Sequence, residues 1–207
     1  GYNTAIGHEA GELLTTGTNN TLVGALAGDA LNTGGYNVAI GFSALTSEDG
    51  HGYNVAIGHE ALLTQNAGAT AYNVAVGVAA GKVVSSGIRN VLIGAGSGDA
   101  LTTSSYNVAI GFEALSTEDA AGRSVAIGHQ ALLTQNAGAD AYNTAVGYNA
   151  GTAISTGIEN TLVGGLAGDS ITGGMESTFI GYDAGSVTTD SERCTFIGAE
   201  AGSALNY

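Results

Sequence analysis

Four histidines are the first residues in this 207-residue chain whose side chains could do chemistry. His8, His59 and His129 each directly follow the glycine of a short recurring motif, so they hold one position of a repeat. Three or four units separate them, about 14 to 19 Å if the units stack like strands of a sheet. No two can then share a metal ion within one chain, although three copies of one histidine could converge on a threefold axis. We interpret these histidines as solvated corner residues and predict no catalytic residue, metal or cofactor.

Carboxylates are the second group of candidates. The pair Glu48-Asp49 recurs further along the chain as Glu118-Asp119. Aspartates in Gly-Asp corners recur at the same spacing, at Asp29, Asp99 and Asp169. Paired carboxylates act as acid and base only in a cleft that shifts their pKa values, and the nonapeptide of Ca²⁺-binding β-rolls is missing. We therefore predict that these carboxylates are solvated charges that prevent edge-to-edge and lateral aggregation.

Composition excludes several classes of protein. The 35 glycines come without any proline, which excludes collagen. A chain that is 44% hydrophobic and only 11% charged is too apolar for a disordered segment. A net charge of −14 argues against nucleic acid or anionic membranes as partners. No apolar run approaches the roughly 20 residues of a membrane-spanning helix, and the single Cys194 cannot form an intrachain disulfide.

A repeat positions all of these residues. The motif Asn-(Thr/Val)-apolar-(Ile/Val)-Gly occurs twelve times, at a spacing of about 17 residues that lengthens by two after the fourth and eighth units. Its glycines are Gly7, Gly24, Gly41, Gly58, Gly77, Gly94, Gly111, Gly128, Gly147, Gly164, Gly181 and Gly198. A longer period, four units in length, divides the single array, residues 1–207, into super-repeats 3–72, 73–142 and 143–207. Because the chain begins inside a motif, we expect it to be a segment of a longer fibre.

Each unit predicts one coil of a parallel β-solenoid. The β-branched motif marks a short strand, and glycine at its end marks a corner that needs positive φ or close backbone approach. Three residues later the side chain is alanine in eleven units and Ser97 in the other, which indicates a narrow interior. Units of about 17 residues are too short for α-solenoids or propeller blades. The predicted fold is all-β, with twelve coils rising about 58 Å in total.

The first position of the motif predicts a structural ladder. Stacked asparagines can pass side-chain hydrogen bonds from coil to coil, while the alternative is a corner residue that tolerates left-handed φ. Ser124, Ser177 and Cys194 replace asparagine in three units. The ladder asparagines are Asn3, Asn20, Asn37, Asn54, Asn73, Asn90, Asn107, Asn143 and Asn160.

The strands are apolar on both faces, which predicts self-association. A strand with one face in water should alternate apolar and polar residues, and this one reads Thr/Val, Ala/Leu/Phe, Ile/Val. One face fills the coil, and the other needs a partner. Phe179 and Phe196 would overfill the interior or lie exposed, so we expect the face that carries them and Ala109 to be the interface. Ala109→Asp should then abolish assembly or folding.

Tyrosines form a candidate recognition surface. Six of the nine tyrosines directly precede the motif, Tyr2 among them. Exposed tyrosines suit binding of glycans and proteins because a flat ring offers a large contact area at little entropic cost. The alternative is that the rings pack over the corners and support one another. The candidates for recognition are Tyr36, Tyr53, Tyr72, Tyr106 and Tyr142.

These motifs carry a resemblance to known families. Ser124-Val125-Ala126-Ile127-Gly128, with the variants that begin at Asn37 and Asn54, resembles the head repeats of YadA-like trimeric autotransporter adhesins, although those repeats are typically shorter. The longer coil is similar to repeat regions of bacteriophage tail fibres. The resemblance implies a left-handed parallel β-roll, a homotrimer, an extracellular location on a virion or a bacterial surface, and a host glycan or protein as receptor.

The expected function is therefore a rigid, non-enzymatic fibre segment that holds a receptor-binding tip away from a particle or cell. One alternative is a free-standing secreted solenoid that binds a ligand or ice. The other is a left-handed β-helix acyltransferase, whose coils each hold three hexapeptides, a register that the spacings of this motif do not keep.

Overall fold

The computed structural model describes residues 1–119 and 122–203. Each of the twelve motifs forms one strand of three residues. The strands are β1 Thr4–Ile6, β2 Thr21–Val23, β3 Val38–Ile40, β4 Val55–Ile57, β5 Val74–Val76, β6 Val91–Ile93, β7 Val108–Ile110, β8 Val125–Ile127, β9 Thr144–Val146, β10 Thr161–Val163, β11 Thr178–Ile180 and β12 Thr195–Ile197.

All twelve strands belong to one parallel sheet in sequence order. The register aligns equivalent motif positions, as where β3 pairs with β4 and Ala39 lies opposite Ala56. The remaining described residues form turns and extended corners, and none of them forms a helix of the length and apolarity that crossing a membrane requires. The predicted all-β parallel solenoid is confirmed, with about 11 turns of about 17 residues each.

The tight coil rests on left-handed backbone positions at its corners. The motif glycines have φ between 127° and 148°. At Gly41 a side chain would also clash with the carbonyl oxygen of Gly58 in the next coil, so only glycine fits. Three further left-handed positions in the same coil are occupied by Tyr36, Ser43 and Leu45. Each of these costs roughly 1–2 kcal/mol, which the stacking of neighbouring coils has to offset.

The core is a narrow column of small and aliphatic side chains. The middle residue of each internal strand points inward, as does the alanine three residues after the motif glycine, and Ala39 and Ala44 are both fully buried. Ser97, the one exception to alanine in that column, is equally buried. Its hydroxyl donates to the carbonyl oxygen of Gly94 at 3.0 Å, which satisfies the polar atom locally.

The sequence-based assignment of the outward face is wrong. Ala109 and Phe179 are fully buried, whereas Val108 and Ile110, on either side of Ala109, point outward and are half-buried. Phe179 fits inside because Gly185 leaves room beside its ring, where a side chain would clash with Phe179 Cδ2 and Cε2. Its ring also stacks on Phe196 at a centroid distance of 5.0 Å. Ala109→Asp would place a charge in the core, so it tests folding and not association.

Candidate functional site

The asparagine position forms a hydrogen-bonded ladder that runs from Asn3 to Ser124 and again from Asn143 to Cys194. In the middle of it, the backbone N–H of Asn90 donates to Asn73 Oδ1 at 2.8 Å. Asn90 Oδ1 accepts from the backbone N–H of Asn107 at 2.9 Å, and Asn90 Nδ2 donates to the carbonyl oxygen of Ser104 at 3.0 Å. The bonds therefore run from side chain to main chain. Nδ2 bonds to a carbonyl 14 residues ahead recur at Asn3, Asn20, Asn37, Asn73, Asn143 and Asn160.

The ladder asparagines inside the array are buried, so each bond matters for stability. Asn73, Asn107 and Asn160 have no exposed side-chain surface. A buried amide that loses its partners costs about 1–3 kcal/mol. The ladder joins successive coils through polar atoms that no water could satisfy.

The tyrosine position forms a stack of rings and guanidinium groups. Tyr36 and Tyr53 lie 4.8 Å apart, and Tyr53 and Tyr72 lie 5.3 Å apart, between ring centroids. Arg89 then lies between Tyr72 and Tyr106, at 6.0 and 5.5 Å from their centroids. Arg123 lies in the same way between Tyr106 and Tyr142, at 5.5 and 5.7 Å. We call this run of seven side chains, from Tyr36 to Tyr142, the tyrosine–arginine stack.

Stacking limits which parts of each tyrosine ring can contact a ligand. The flat faces of the inner rings lie against their neighbours, while Tyr53 and Tyr106 remain about half exposed, at 47% and 45%. Their edges and hydroxyl groups face outward, and Arg89 donates from Nη1 to the Tyr106 hydroxyl at 2.8 Å. The sequence analysis missed Arg89 and Arg123. Their position could have revealed them, because both directly precede the motif, at Asn90 and Ser124, where six other units carry tyrosine.

The residues that directly follow the motif glycines form a second, more exposed aromatic stripe. Phe42 stacks on His59 at 5.3 Å, and His129 lies between Phe112 and Tyr148 at 5.3 and 5.2 Å. The predicted histidine column therefore exists, and His8, His59 and His129 are exposed as expected. His129 lies between two rings, whereas His59 stacks on one. We call the side chains at this position the aromatic stripe; it also includes Val78 and Tyr182.

An apolar strip on the outside of the sheet adjoins this stripe. The first and third residues of every strand point outward, and all are Thr, Val or Ile. Ile93 and Ile180 are each 37% exposed, and at the two ends Ile6 and Ile197 reach 61% and 69%. No charged residue interrupts these two positions in any of the twelve strands.

The prediction that the carboxylates are solvated is wrong for two of them. Glu48 and Glu118 are fully buried, while Asp49 and Asp119 next to them are exposed. The buried glutamates occupy a core position that is leucine, isoleucine or valine in most other units, such as Leu31. A charged group in that place needs partners within the coil.

An exchange between two core positions explains the buried glutamates. In the second unit, Gly28 leaves room for Leu31, and a side chain at Gly28 would clash with Leu31 Cδ1. In the third unit the leucine is Leu45, four residues after the motif glycine, and Glu48 takes the place of Leu31. Leu62 with Gln65, Leu115 with Glu118 and Leu132 with Gln135 repeat this exchange. In these four units the leucine four residues after the motif glycine fills the core, and the residue three positions later is therefore Glu or Gln.

In the second super-repeat the buried polar side chains are joined in a network. Gln135 Nε2 donates to Glu118 Oε2 at 3.1 Å and lies 3.0 Å from the hydroxyl oxygen of Ser124. Gln135 Oε1 accepts from Asn143 Nδ2 at 2.8 Å. The network links two coils through atoms that are all buried.

The equivalent residues of the first super-repeat leave polar atoms unpaired. Asn73 Nδ2 donates to Gln65 Oε1 at 2.7 Å, as in the second copy. Yet Glu48 Oε2, His51 Nδ1, Asn54 Nδ2 and Gln65 Nε2 are all buried without a hydrogen-bond partner. Burial raises the pKa of the Glu48 carboxyl, against the lowering effect of the His51 backbone N–H and ring. We call Glu48, His51, Asn54 and Gln65 the polar pocket.

The Gly-Asp corners differ from both glutamates. Asp29, Asp99 and Asp169 are partly exposed, and partial burial raises the pKa of each carboxyl. Acidic side chains nearby, such as Glu113 beside Asp99, raise it further. Lys82, on the preceding coil, has a smaller and opposite effect on the pKa of Asp99.

Comparison with known proteins adds no relative. No protein-family model matches the chain, and no curated protein and no solved structure is similar to it at a significant level.

Proposed function

We propose that this chain is a rod-like segment of a homotrimeric extracellular fibre, a structural and adhesive element and not an enzyme. The observation that carries the proposal is the outward apolar strip. It runs the whole length of the sheet without a charged residue, in a chain whose net charge is −14. Contiguous apolar patches of this kind mark interaction surfaces.

A second and third copy of the same chain are the partners that fit this strip. The strip repeats once per coil, so a partner must present the same spacing over twelve coils, as a parallel copy does. Rotational symmetry then closes the assembly and leaves no strip exposed. The choice of three chains, and of a left-handed roll, comes from the resemblance of Ser124-Val125-Ala126-Ile127-Gly128 to the head repeats of trimeric adhesins.

The adhesive part of the proposal rests on the tyrosine–arginine stack. It exposes ring edges, hydroxyl groups and the guanidinium group of Arg89 along one corner of the rod, while Arg123 is ion-paired with Asp140. Such groups donate hydrogen bonds to the hydroxyl and carboxylate oxygens of glycans or proteins on a host surface. A bacteriophage tail fibre and a bacterial surface adhesin both require a stiff element that exposes such hydrogen-bonding groups along its surface.

The solution mass tests the assembly. Light scattering or native mass spectrometry should give about three times the chain mass of 20.3 kDa. Ile110→Asp, on the strip, should lower the mass to that of one chain, because three carboxylates would be buried against apolar side chains. Thr103→Asp, on an exposed turn, adds the same charge elsewhere and should leave the trimer intact. A folded wild-type monomer would contradict the proposal.

A further inference from the structure

We propose that Glu48, Asp49 and His51 form a binding site for one divalent transition-metal ion of the zinc class. The three side chains each bring one ligand atom, and these atoms lie within 4.8 Å of one another. The proposal does not depend on the fibre function, because all three residues lie in one short segment of one chain.

The distances suit tetrahedral coordination after small side-chain movements. Glu48 Oε1 lies 3.6 Å from His51 Nδ1. Zinc bonds to nitrogen and oxygen of about 2.0–2.2 Å imply ligand atoms about 3.4 Å apart. Asp49 is exposed, and one of its carboxylate oxygens lies within 4.8 Å of the other two ligand atoms. A water molecule would complete the fourth position.

Unpaired buried atoms are the second, independent observation. Among the described residues, six buried side-chain polar atoms have no hydrogen-bond partner, and four of the six belong to the polar pocket. Two of these four, Glu48 Oε2 and His51 Nδ1, belong to the proposed ligands, and Glu48 is fully buried. Unsatisfied groups concentrated in one place indicate a missing partner, and a cation would satisfy a carboxylate and an imidazole together.

The surrounding residues hold the ligands in place. The backbone N–H of His51 donates to Glu48 Oε1 at 2.9 Å, which fixes the turn between them. The backbone carbonyl of His51 accepts from Asn37 Nδ2 at 3.1 Å, so the turn is tied to the asparagine ladder. Gln65 occupies the core position of Glu48 one coil further on and offers an amide N–H of the kind that orients ligating carboxylates.

Charge and ligand type decide the class of ion. Two carboxylates and a neutral imidazole balance a charge of +2, which removes the large cost of an uncompensated buried carboxylate. Ca²⁺ takes six to eight oxygen ligands, and Mg²⁺ prefers octahedral oxygen coordination. A set of three ligands with one imidazole is typical of zinc and its neighbours.

The second super-repeat provides an internal comparison. Position 121, equivalent to His51, is alanine, and lies outside the described residues. There Gln135 donates to Glu118, and the glutamate obtains a partner without an ion. The chain should therefore bind one ion and not two.

The test is titration of the full chain, without an affinity tag, with Zn²⁺ by calorimetry and with Co²⁺ by visible absorption. We expect one ion per chain and a rise in melting temperature that a chelator reverses. His51→Ala copies the residue of the second super-repeat and should weaken binding more than the roughly 10–100-fold typical of losing an outer-shell partner. His59→Ala, on the aromatic stripe, is the matched control and should leave binding unchanged.

Three results would overturn the proposal. They are no binding at micromolar metal, binding that His51→Ala leaves unchanged in a variant whose circular dichroism is that of the wild type, and binding that His59→Ala abolishes. The last would indicate histidines gathered on a symmetry axis. Glu48→Gln gives a second variant, since it keeps the shape of the side chain and should also remove the Co²⁺ absorption band.

Discussion

Glu48 and Gln65 of the first super-repeat occupy the same places in the coil as Glu118 and Gln135 of the second, yet the two pairs satisfy their polar atoms differently. Both contain a buried glutamate and, one coil later, a buried glutamine. In the second copy Gln135 bonds to Glu118, Ser124 and Asn143. In the first copy the Gln65 side chain accepts from Asn73 Nδ2 through Oε1, but its Nε2 is unpaired.

Two sequence differences account for this contrast. Asn54 stands where the second copy has Ser124, and its amide Nδ2 has no partner, whereas the smaller serine places a hydroxyl beside Gln135. His51 stands where the second copy has alanine. One or two side chains therefore decide whether the buried polar atoms of a coil are paired in a network or left without partners.

The largest loss of stability should follow from replacing the leucine that accompanies each buried glutamate. Leu115→Gly opens a cavity and should cost about 3–5 kcal/mol of unfolding free energy. Adding Glu118→Leu recreates the Gly28 and Leu31 arrangement of the second unit and should restore most of the loss. Chemical denaturation of both variants measures the difference.

The same pair of changes in the first super-repeat, Leu45→Gly with Glu48→Leu, sharpens the comparison. Recovery should be more complete there, because Glu48 Oε2 is unpaired and only the bond from the His51 backbone N–H to Oε1 is known to be lost, whereas Glu118 Oε2 loses the bond from the Gln135 side chain. Equal recovery in both copies would mean that the network around Glu118 adds no stability, and a double variant no better than the single one would refute the exchange itself.

Alanine substitutions in the asparagine ladder should cause the next largest loss of stability. Asn107→Ala removes bonds from the Ser124 N–H and to Ser104 Oγ, at 3.0 and 2.8 Å, and should cost about 2–3 kcal/mol. Asn54→Ala removes one bond, from the Asn73 N–H at 3.1 Å, together with an unpaired amide, and should cost about 1 kcal/mol or less. Thermal unfolding of the two variants provides the measurement; a larger loss for Asn54→Ala would contradict the assignment of its amide as unpaired.

The aspartates of the Gly-Asp corners should have the smallest effect, a change in the pH dependence of stability that is similar in both super-repeats. Burial raises the pKa of Asp29 and Asp99 above the ordinary 3.8, so the folded state binds more protons than the unfolded state in the window just above that value. Stability should therefore fall as pH rises through this window. Asp99→Asn and Asp29→Asn should each flatten the dependence of melting temperature on pH, and a steeper dependence in either variant would contradict the burial argument.

The sequence predicted much of the fold because the solenoid is a local structure repeated. The motif glycines, such as Gly41, have the positive φ and the close approach to the next coil that their place at the end of a strand indicates. The strand positions and the narrow alanine column also follow from single-residue properties. These features need only the chemistry of one unit and the knowledge that the units stack.

The candidate sites were harder to predict, because they depend on distances between units. The tyrosine position was recognisable from spacing, but the insertion of Arg89 and Arg123 into the same stack requires equivalent positions to be treated as neighbours in space. The burial of Glu48 was hidden by its hydrophilic segment, Thr-Ser-Glu-Asp, which is typical of an exposed turn. Its significance appears only beside Leu45, which fills the core in its place.

By itself, the sequence determined the period, the strands and the corners, since β-branched residues, glycine and small side chains each favour one backbone arrangement wherever they occur. Only the tertiary structure decided which face of the strand is inside, because both faces are apolar and pattern alone does not distinguish Ala109 from Ile110. It also decided which polar atoms find partners. A hydrogen bond such as that from Gln135 to Glu118 joins residues 17 positions apart, and it exists only where successive coils bring them within reach.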